Sequence, residues 1–329
     1  MQSMIDVLGI GNAIVDILSH ASMDFAQQMK LNKGSMTLVD AARSAELYDA
    51  MGPALEMSGG SAANTIAGIA SLGGRGAFVG KIGNDQLGTI FRHDIRATGV
   101  EFTTPAAMSG TPTATSMIFV TPDSDRTMNT YLGACVELSP DDIDPQLVMR
   151  SKVTYMEGYL WDPPLAKEAF LKAASIAHQA GRKVSLSLSD PFCAKRYQRE
   201  FADLVHNHID ILFANEEEVC ALYETEDLDR AISILQLHCP LSAITRSEKG
   251  SLIIEKNRVI EIKAERVSKI VDTTGAGDLY AAGFLYGYTH GMDLTDCGEL
   301  GSRAAAEIIS HLGARPAMAL RELLLKEIA

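Results

Sequence analysis

The chain of 329 residues predicts an α/β protein, a three-layer sandwich with a central, mostly parallel sheet and a small β-sheet lid. Two patterns lead there. From about Val153 onward, strand-like and helix-like segments alternate, which calls for a parallel sheet covered by helices on both faces. Earlier, the stretches 17–44 and 101–133 interrupt that alternation with β-rich sequence and read as one lid built from two insertions. The large unit then comprises 1–16, 45–100 and 134–329.

Met4 to Gly11 reads as a buried strand ending in glycines, followed by strands at Val15–Ser19 and Met36–Val39 with a helical Met23–Met29 between them. A small-residue helix runs from Ser61 to Leu72 after Gly59-Gly60. Ala77–Gly80 is a strand, and Gln86–Thr98 a helix closed by Gly99. The Thr-, Ser- and Pro-rich stretch Glu101–Tyr131 alternates in Thr115–Val120 and suggests β-hairpins. Beyond it, strands are expected near Val153–Met156, Val184–Leu188, Ile209–Ala214 and Ser242–Thr245. Helices near Pro164–Ala180, Gln198–Asn207 and Leu228–Leu237 alternate with them.

Composition excludes several function classes. The formal net charge is −13 and no Lys/Arg run occurs, so the basic stripe that displaces counterions from nucleic acid is missing, and an anionic membrane surface is equally disfavoured. No stretch reaches 18 uncharged apolar residues, and the N-terminus lacks a basic region leading into a long apolar run; the expected location is the cytoplasm. Five cysteines, odd in number and without a Cys-x-x-Cys pair, read as reduced core thiols. His206 and His208, with no third ligand in sequence reach, read as helix-surface residues.

The strongest chemical signal is Asp272-Thr273-Thr274-Gly275-Ala276-Gly277-Asp278, opening the helical run Leu279–Tyr288. Small residues at a loop-to-helix junction leave amides uncovered and aligned with the helix dipole, which suits an oxyanion or a transferring phosphoryl group. An aspartate one residue further in can accept the proton of an attacking hydroxyl. Gly59-Gly60-x-x-x-Asn64 lets backbone approach a polar ligand and adds a side chain that both donates and accepts. Gly9-x-Gly11 invites a dinucleotide-binding reading, but position 14 is Ile and no acidic residue follows at the proper distance. Gly80-Lys81 is followed by Ile82 and fails as a phosphate-binding P-loop, and neither His-Arg-Asp nor Asp-Phe-Gly is present. Arg126 in the Asp125-Arg126-Thr127 hairpin reads either as a lid arginine closing over phosphates or as a surface charge.

The seven-residue string resembles the second signature of the ribokinase-like (PfkB) family of carbohydrate and nucleoside kinases, and the family's other marks follow in order over nearly the whole chain. The resemblance implies a cytoplasmic kinase that moves the γ-phosphoryl group of ATP, with Mg2+, to a substrate hydroxyl. It makes Asp278 the catalytic base and Gly275, Ala276 and Gly277 the anion hole. Asn12, Asp16, Gly59, Gly60, Asn64 and Arg126 become substrate contacts, Asp16 binding vicinal hydroxyls. Asn215, Thr245, Gly250, Thr274 and Gly277 fall at the nucleotide, and Glu218 acts through water on Mg2+. Ser187 stands where relatives often carry Asn, and Ser247 where many carry Gly. A K+ site built from carbonyls near Asp272, Thr274, Ser310 and Gly313 is a further implication.

Gly11–Asp16, Ser187–Phe192 and Arg126–Tyr131 look more like adenosine kinases than ribokinases or fructokinases. Adenosine is therefore the expected acceptor, with Phe25, Met117, Phe119, Tyr131 or Trp161 offered for purine stacking. A sugar such as ribose, fructose or a 2-keto-3-deoxy acid is the alternative, and a non-catalytic sugar- or nucleotide-binding module a third reading. Relatives of these kinds are monomers or lid-paired homodimers.

Overall fold

The computed structural model describes residues 3–122 and 126–327; Asp125 of the lid hairpin lies outside them. The strands in chain order are β1 (Ile5–Ile10), β2 (Ile14–His20), β3 (Met36–Leu38), β4 (Ala54–Gly59), β5 (Gly76–Val79), β6 (Glu101–Phe102) and β7 (Ala114–Val120). Then come β8 (Arg126–Tyr131), β9 (Ser151–Glu157), β10 (Lys183–Ser187), β11 (Ile211–Asn215), β12 (Leu241–Thr245), β13 (Ser251–Glu255) and β14 (Arg258–Ile262).

The large sheet has the order β14-β13-β12-β11-β10-β9-β1-β5-β6. It is parallel from β12 to β6, and β13 and β14 extend one edge as an antiparallel hairpin. Of its central strands, β1 is buried throughout and β9 at every position but Lys152, as expected of parallel strands covered on both faces. One face carries helices Ser61–Ser71, Ala276–Thr289 and Leu294–Ile308, and the other carries Pro164–Gln179, Gln198–His208 and Leu228–His238. Helix Ala276–Thr289 comes close to its neighbours because small residues meet there. A Cβ on Gly68 would lie 2.7 Å from the Ala282 Cβ, and one on Gly283 would lie 2.6 Å from the Leu300 carbonyl oxygen.

The lid sheet has the order β3-β8-β7-β2-β4. Helix Ala41–Ala50, capped by Asp40 accepting from the Arg43 N–H, buries Leu47 in one cluster with Ile17 and Phe119 and so covers the lid's outer side.

The lid differs at three places from the boundaries read in the sequence. β4, expected in the large unit, pairs antiparallel with β2, with Asp16 opposite Met57. β6, expected in the lid, pairs with β5 in the large sheet, where Phe102 is buried against Phe78 and Phe91. β2 begins at Ile14, before residue 17. In each case long-range pairing decides, and local composition carries no mark of it. The hairpin β13–β14 and helices Ala41–Ala50 and Leu294–Ile308 also escape the sequence reading.

Candidate active site

The parallel strands end at one edge of the large sheet, where ligands of open α/β sheets are bound. The turn after β1 brings Asn12 to that edge, and Glu157, Ser187, Asn215 and Thr245 are the last residues of β9, β10, β11 and β12. The lid sheet stands over it, and a cleft of about 1490 Å³ lies between. Asp16, Gly60, Ser61, Asn64, Glu218, Gly250 and Thr273–Asp278 line the same cleft, so residues hundreds of positions apart are gathered at one place.

Gly275 caps helix Ala276–Thr289 with φ +80°, and a Cβ there would meet the Ala314 Cβ at 3.0 Å, so the position requires glycine on both counts. Gly277 has open space on its Cβ side. The first amides of a helix have no intrahelical partner, which makes this turn a seat for negative charge. Asp272 fixes the loop from behind: it accepts the Thr274 N–H at 3.0 Å and the Gly313 N–H at 2.9 Å, and it pairs with the Arg126 guanidinium from lid strand β8.

Asp278 is half-buried, and its carboxylate accepts the Ser61 hydroxyl at 2.6 Å and the Asn64 amide at 3.0 Å. Burial pushes its carboxyl above the ordinary aspartate value, while these two hydrogen bonds and the Arg315 charge pull against that rise. An aspartate in this state is a better proton acceptor than a solvated one and remains oriented by two donors.

Helix Ser61–Ser71, which carries both donors, starts at Gly60 with φ +96° and without a side-chain cap of its own. A Cβ on Gly60 would lie 2.1 Å from the Asn12 carbonyl oxygen, so only glycine allows this close approach. Gly59 packs against the Asp16 carboxylate, which a Cβ would meet at 2.3 Å. Burial raises Asp16 to about 6, partly offset by Arg315 and Arg126. Asp85 ties elements together: it caps helix Gln86–Ala97 through Gly88 and holds Thr113 at the root of β7.

Two buried charges of this region escaped the sequence reading. Glu157, at the end of β9, accepts Asn12 Nδ2 at 2.6 Å and the Ala62 N–H at 2.8 Å. Arg315 donates to the Ser58 and Ala63 carbonyls behind Asp16 and Asp278. Neither sits in a local motif; each is defined by partners far away in the chain.

At the other end of the cleft, Asn215 and Glu218 form a reciprocal capping box: Asn215 Oδ1 accepts the Glu218 N–H at 2.8 Å, and Glu218 Oε2 accepts the Asn215 N–H at 3.1 Å. Glu218 is buried and raised to about 7, and the charges that reach it, Asp190 and Glu217, are both negative. Gly250 has φ +86° and would place a Cβ 2.0 Å from the Ile262 carbonyl oxygen. Ser247 has φ +51°, a left-handed backbone held here by a serine.

The proposed purine stackers are corrected. Phe119 is fully buried against Phe25 at 5.2 Å, Met117 is buried, and Trp161 packs with Phe170 and Phe201; none of the five candidates lines the cleft. Side chains alternate along β7, so Ser116 and Ile118 face the cleft while Met117 and Phe119 face away. His206 pairs with His238, its Nδ1 2.7 Å from the other ring's Nδ1, instead of acting with His208.

A glycine-rich helix start beside an oriented aspartate, at the carboxyl edge of a parallel sheet and under a lid, defines a small-molecule phosphotransferase. The family profile of the pfkB family carbohydrate kinases matches residues 39–320, and the chain belongs to that family. It is similar to a solved adenosine kinase from Sinorhizobium meliloti, 53% identical over 99% of this chain and 100% of that one, with a TM-score of 0.91. A probable sugar kinase from Rhizobium etli is 51% identical over 99% of both chains, with a TM-score of 0.92. An adenosine kinase from Schistosoma mansoni solved with 2-fluoroadenosine is 26% identical over 97% of this chain and 99% of that one, with a TM-score of 0.84. The fold is thus ribokinase-like, and the protein is a sugar or nucleoside kinase that phosphorylates a hydroxyl group, a reaction for which kinases of this family use ATP and Mg2+. No helix among the described residues is long and apolar enough to cross a membrane.

If Asp278 is the base, kcat/KM falls as pH drops through a limb above the ordinary aspartate range. Ser61→Ala removes a donor that favours the charged carboxylate, so the limb moves to higher pH. A pH–rate profile of the variant with an unmoved or lowered limb contradicts the assignment.

Proposed function

We propose that the chain is an adenosine kinase, transferring the γ-phosphoryl group of ATP to the 5′-hydroxyl and producing AMP. The main support is the contrast between the two walls of the acceptor end. Ile14, Met36, Leu38, Ile118 and Met128 present apolar side chains from the lid, and Asn12, Asp16 and Asn64 lie on the polar floor. A nucleoside matches both walls, with a flat apolar base above and vicinal ribose hydroxyls on the Asp16 carboxylate. Likeness to two adenosine kinases points the same way.

The γ-phosphate would lie over Gly275 to Gly277, with Asp278 accepting the proton of the attacking hydroxyl. Asn215, Thr245, Gly250 and Thr274 would hold the rest of the nucleotide. Arg126, released from Asp272, would reach the phosphates as the lid closes and excludes water. The site fits a phosphate-borne Mg2+: Glu218 is a buried carboxylate whose charged neighbours are negative, and an ion that keeps several waters needs no fuller protein cage. Bound, that ion would neutralise charge building on the phosphates. A K+ site would sit where Asp272 draws the 272–274 segment and Gly313 together, near Ser310.

A sugar kinase is the second reading, favoured by the likeness to the Rhizobium etli protein. A coupled assay of ADP release across adenosine, other nucleosides, ribose, fructose and 2-keto-3-deoxygluconate decides between them. Adenosine should exceed every sugar in kcat/KM by about a hundredfold or more, because a sugar brings no base to bury against the apolar lid wall. A sugar that outperforms adenosine sinks the nucleoside reading, and no ADP with any acceptor favours a binding module. Glu218→Gln should raise the Mg2+ concentration needed for half-maximal turnover by about 10- to 100-fold; an unchanged Mg2+ titration removes Glu218 from that role.

A further inference from the structure

Glu157 is 1% exposed and stands at the junction of three elements. Its Oε1 accepts Asn12 Nδ2 from the turn after β1, and its Oε2 accepts the Ala62 N–H at the start of helix Ser61–Ser71. That helix begins at Gly60 without a side-chain cap, so a carboxylate from β9, 95 positions away, takes the place of one. Room has been left for it: a Cβ on Gly11 would lie 2.3 Å from Glu157 Oε2. Among the described residues no basic side chain is bonded to the carboxylate, which is held by the Asn12 side chain and by the backbone amides of Asn12 and Ala62. An ion buried at such cost for capping alone is unusual, since a serine or aspartate at position 60 would cap more cheaply were the approach to Asn12 not needed.

We propose that Glu157 is a positioning residue for the phosphoryl acceptor, fixing which face of the Asn12 amide the acceptor meets. A carboxylate only accepts, so it captures the NH2 of Asn12 and turns the amide oxygen elsewhere. Asn12 lines the cleft beside Asp16, and its free oxygen then joins the Asp16 carboxylate as an acceptor for substrate hydroxyls. The same carboxylate anchors the helix that supplies Ser61 and Asn64 to Asp278, so acceptor site and base are referred to one buried group. This rests on the acceptor lying at the Asn12–Asp16 end of the cleft, and it holds for a nucleoside or a sugar alike.

The test is steady-state kinetics with whichever acceptor the wild-type enzyme turns over best, which separates failure here from failure of the adenosine reading. Glu157→Gln keeps size but offers one acceptor and one donor. With its oxygen on the Ala62 N–H, its NH2 faces Asn12 and forces the Asn12 amide to flip. The acceptor KM should rise about tenfold or more, the equivalent of one lost hydrogen bond, while the KM for ATP stays within about twofold. Combining it with Asn12→Asp restores a donor–acceptor match at both bonds and should bring the acceptor KM back to within a few-fold of wild type. Should Glu157→Gln not fold, the double variant should still fold and turn over. An unchanged acceptor KM in Glu157→Gln, equal changes in both substrates' KM, or a double variant no better than the single one overturns the proposal.

Discussion

The Asp278 carboxylate is held by side chains from a helix more than 200 positions earlier in the chain, Ser61 at 2.6 Å and Asn64 at 3.0 Å. Much of the site follows from keeping that pair of hydrogen bonds in register. Each charge-assisted bond contributes about 1.5–3 kcal/mol, enough to orient the carboxylate and to restrain, without cancelling, the rise in its proton affinity on burial. The balance suits a base that must stay ionised near neutrality yet take a proton when phosphoryl transfer demands one. It also depends on the two helices lying close together, which the small residues Gly68 and Ala282 permit.

Around this contact the chain buries several more ionisable groups than a stable core needs. Asp16, Glu157 and Glu218 are all raised by burial. Arg315 lies behind the first and donates to backbone carbonyls, an arrangement that satisfies the guanidinium and leaves its charge to act on Asp16 and Asp278. Arg126 spans from the lid to the Asp272 that braces the glycine-rich turn, so lid and loop share an ion pair. Such pairs add little net stability when buried, and their geometric definition is the more useful product.

The sequence made the alternating βα core and the glycine-rich helix start legible because both write themselves locally: strands as apolar runs, the turn as Gly275-Ala276-Gly277 between aspartates. It also named Asn12, Asp16, Asn64, Glu218 and Gly250, all of which line the cleft. What it hid depends on distant partners. β4 is recognisable only through its pairing with β2, and β6 through the packing of Phe102 against Phe78 and Phe91. Glu157 lies just past the strand read at Val153–Met156 and carries no mark of its own until Asn12 and Ala62 close on it. Arg315 has no signal of its own. The stackers offered on β7 failed for a simpler reason: a one-residue step along the strand turns a side chain to the opposite face, and Met117 and Phe119 fall on the covered one.

The central claim, that Asp278 removes the acceptor's proton, is tested most directly by single-turnover phosphoryl transfer in Asp278→Asn. The account predicts a rate lower by about 10²- to 10⁴-fold with acceptor affinity, measured by calorimetry, retained. A folded Asp278→Asn enzyme that binds acceptor and transfers phosphate at the wild-type rate would contradict it.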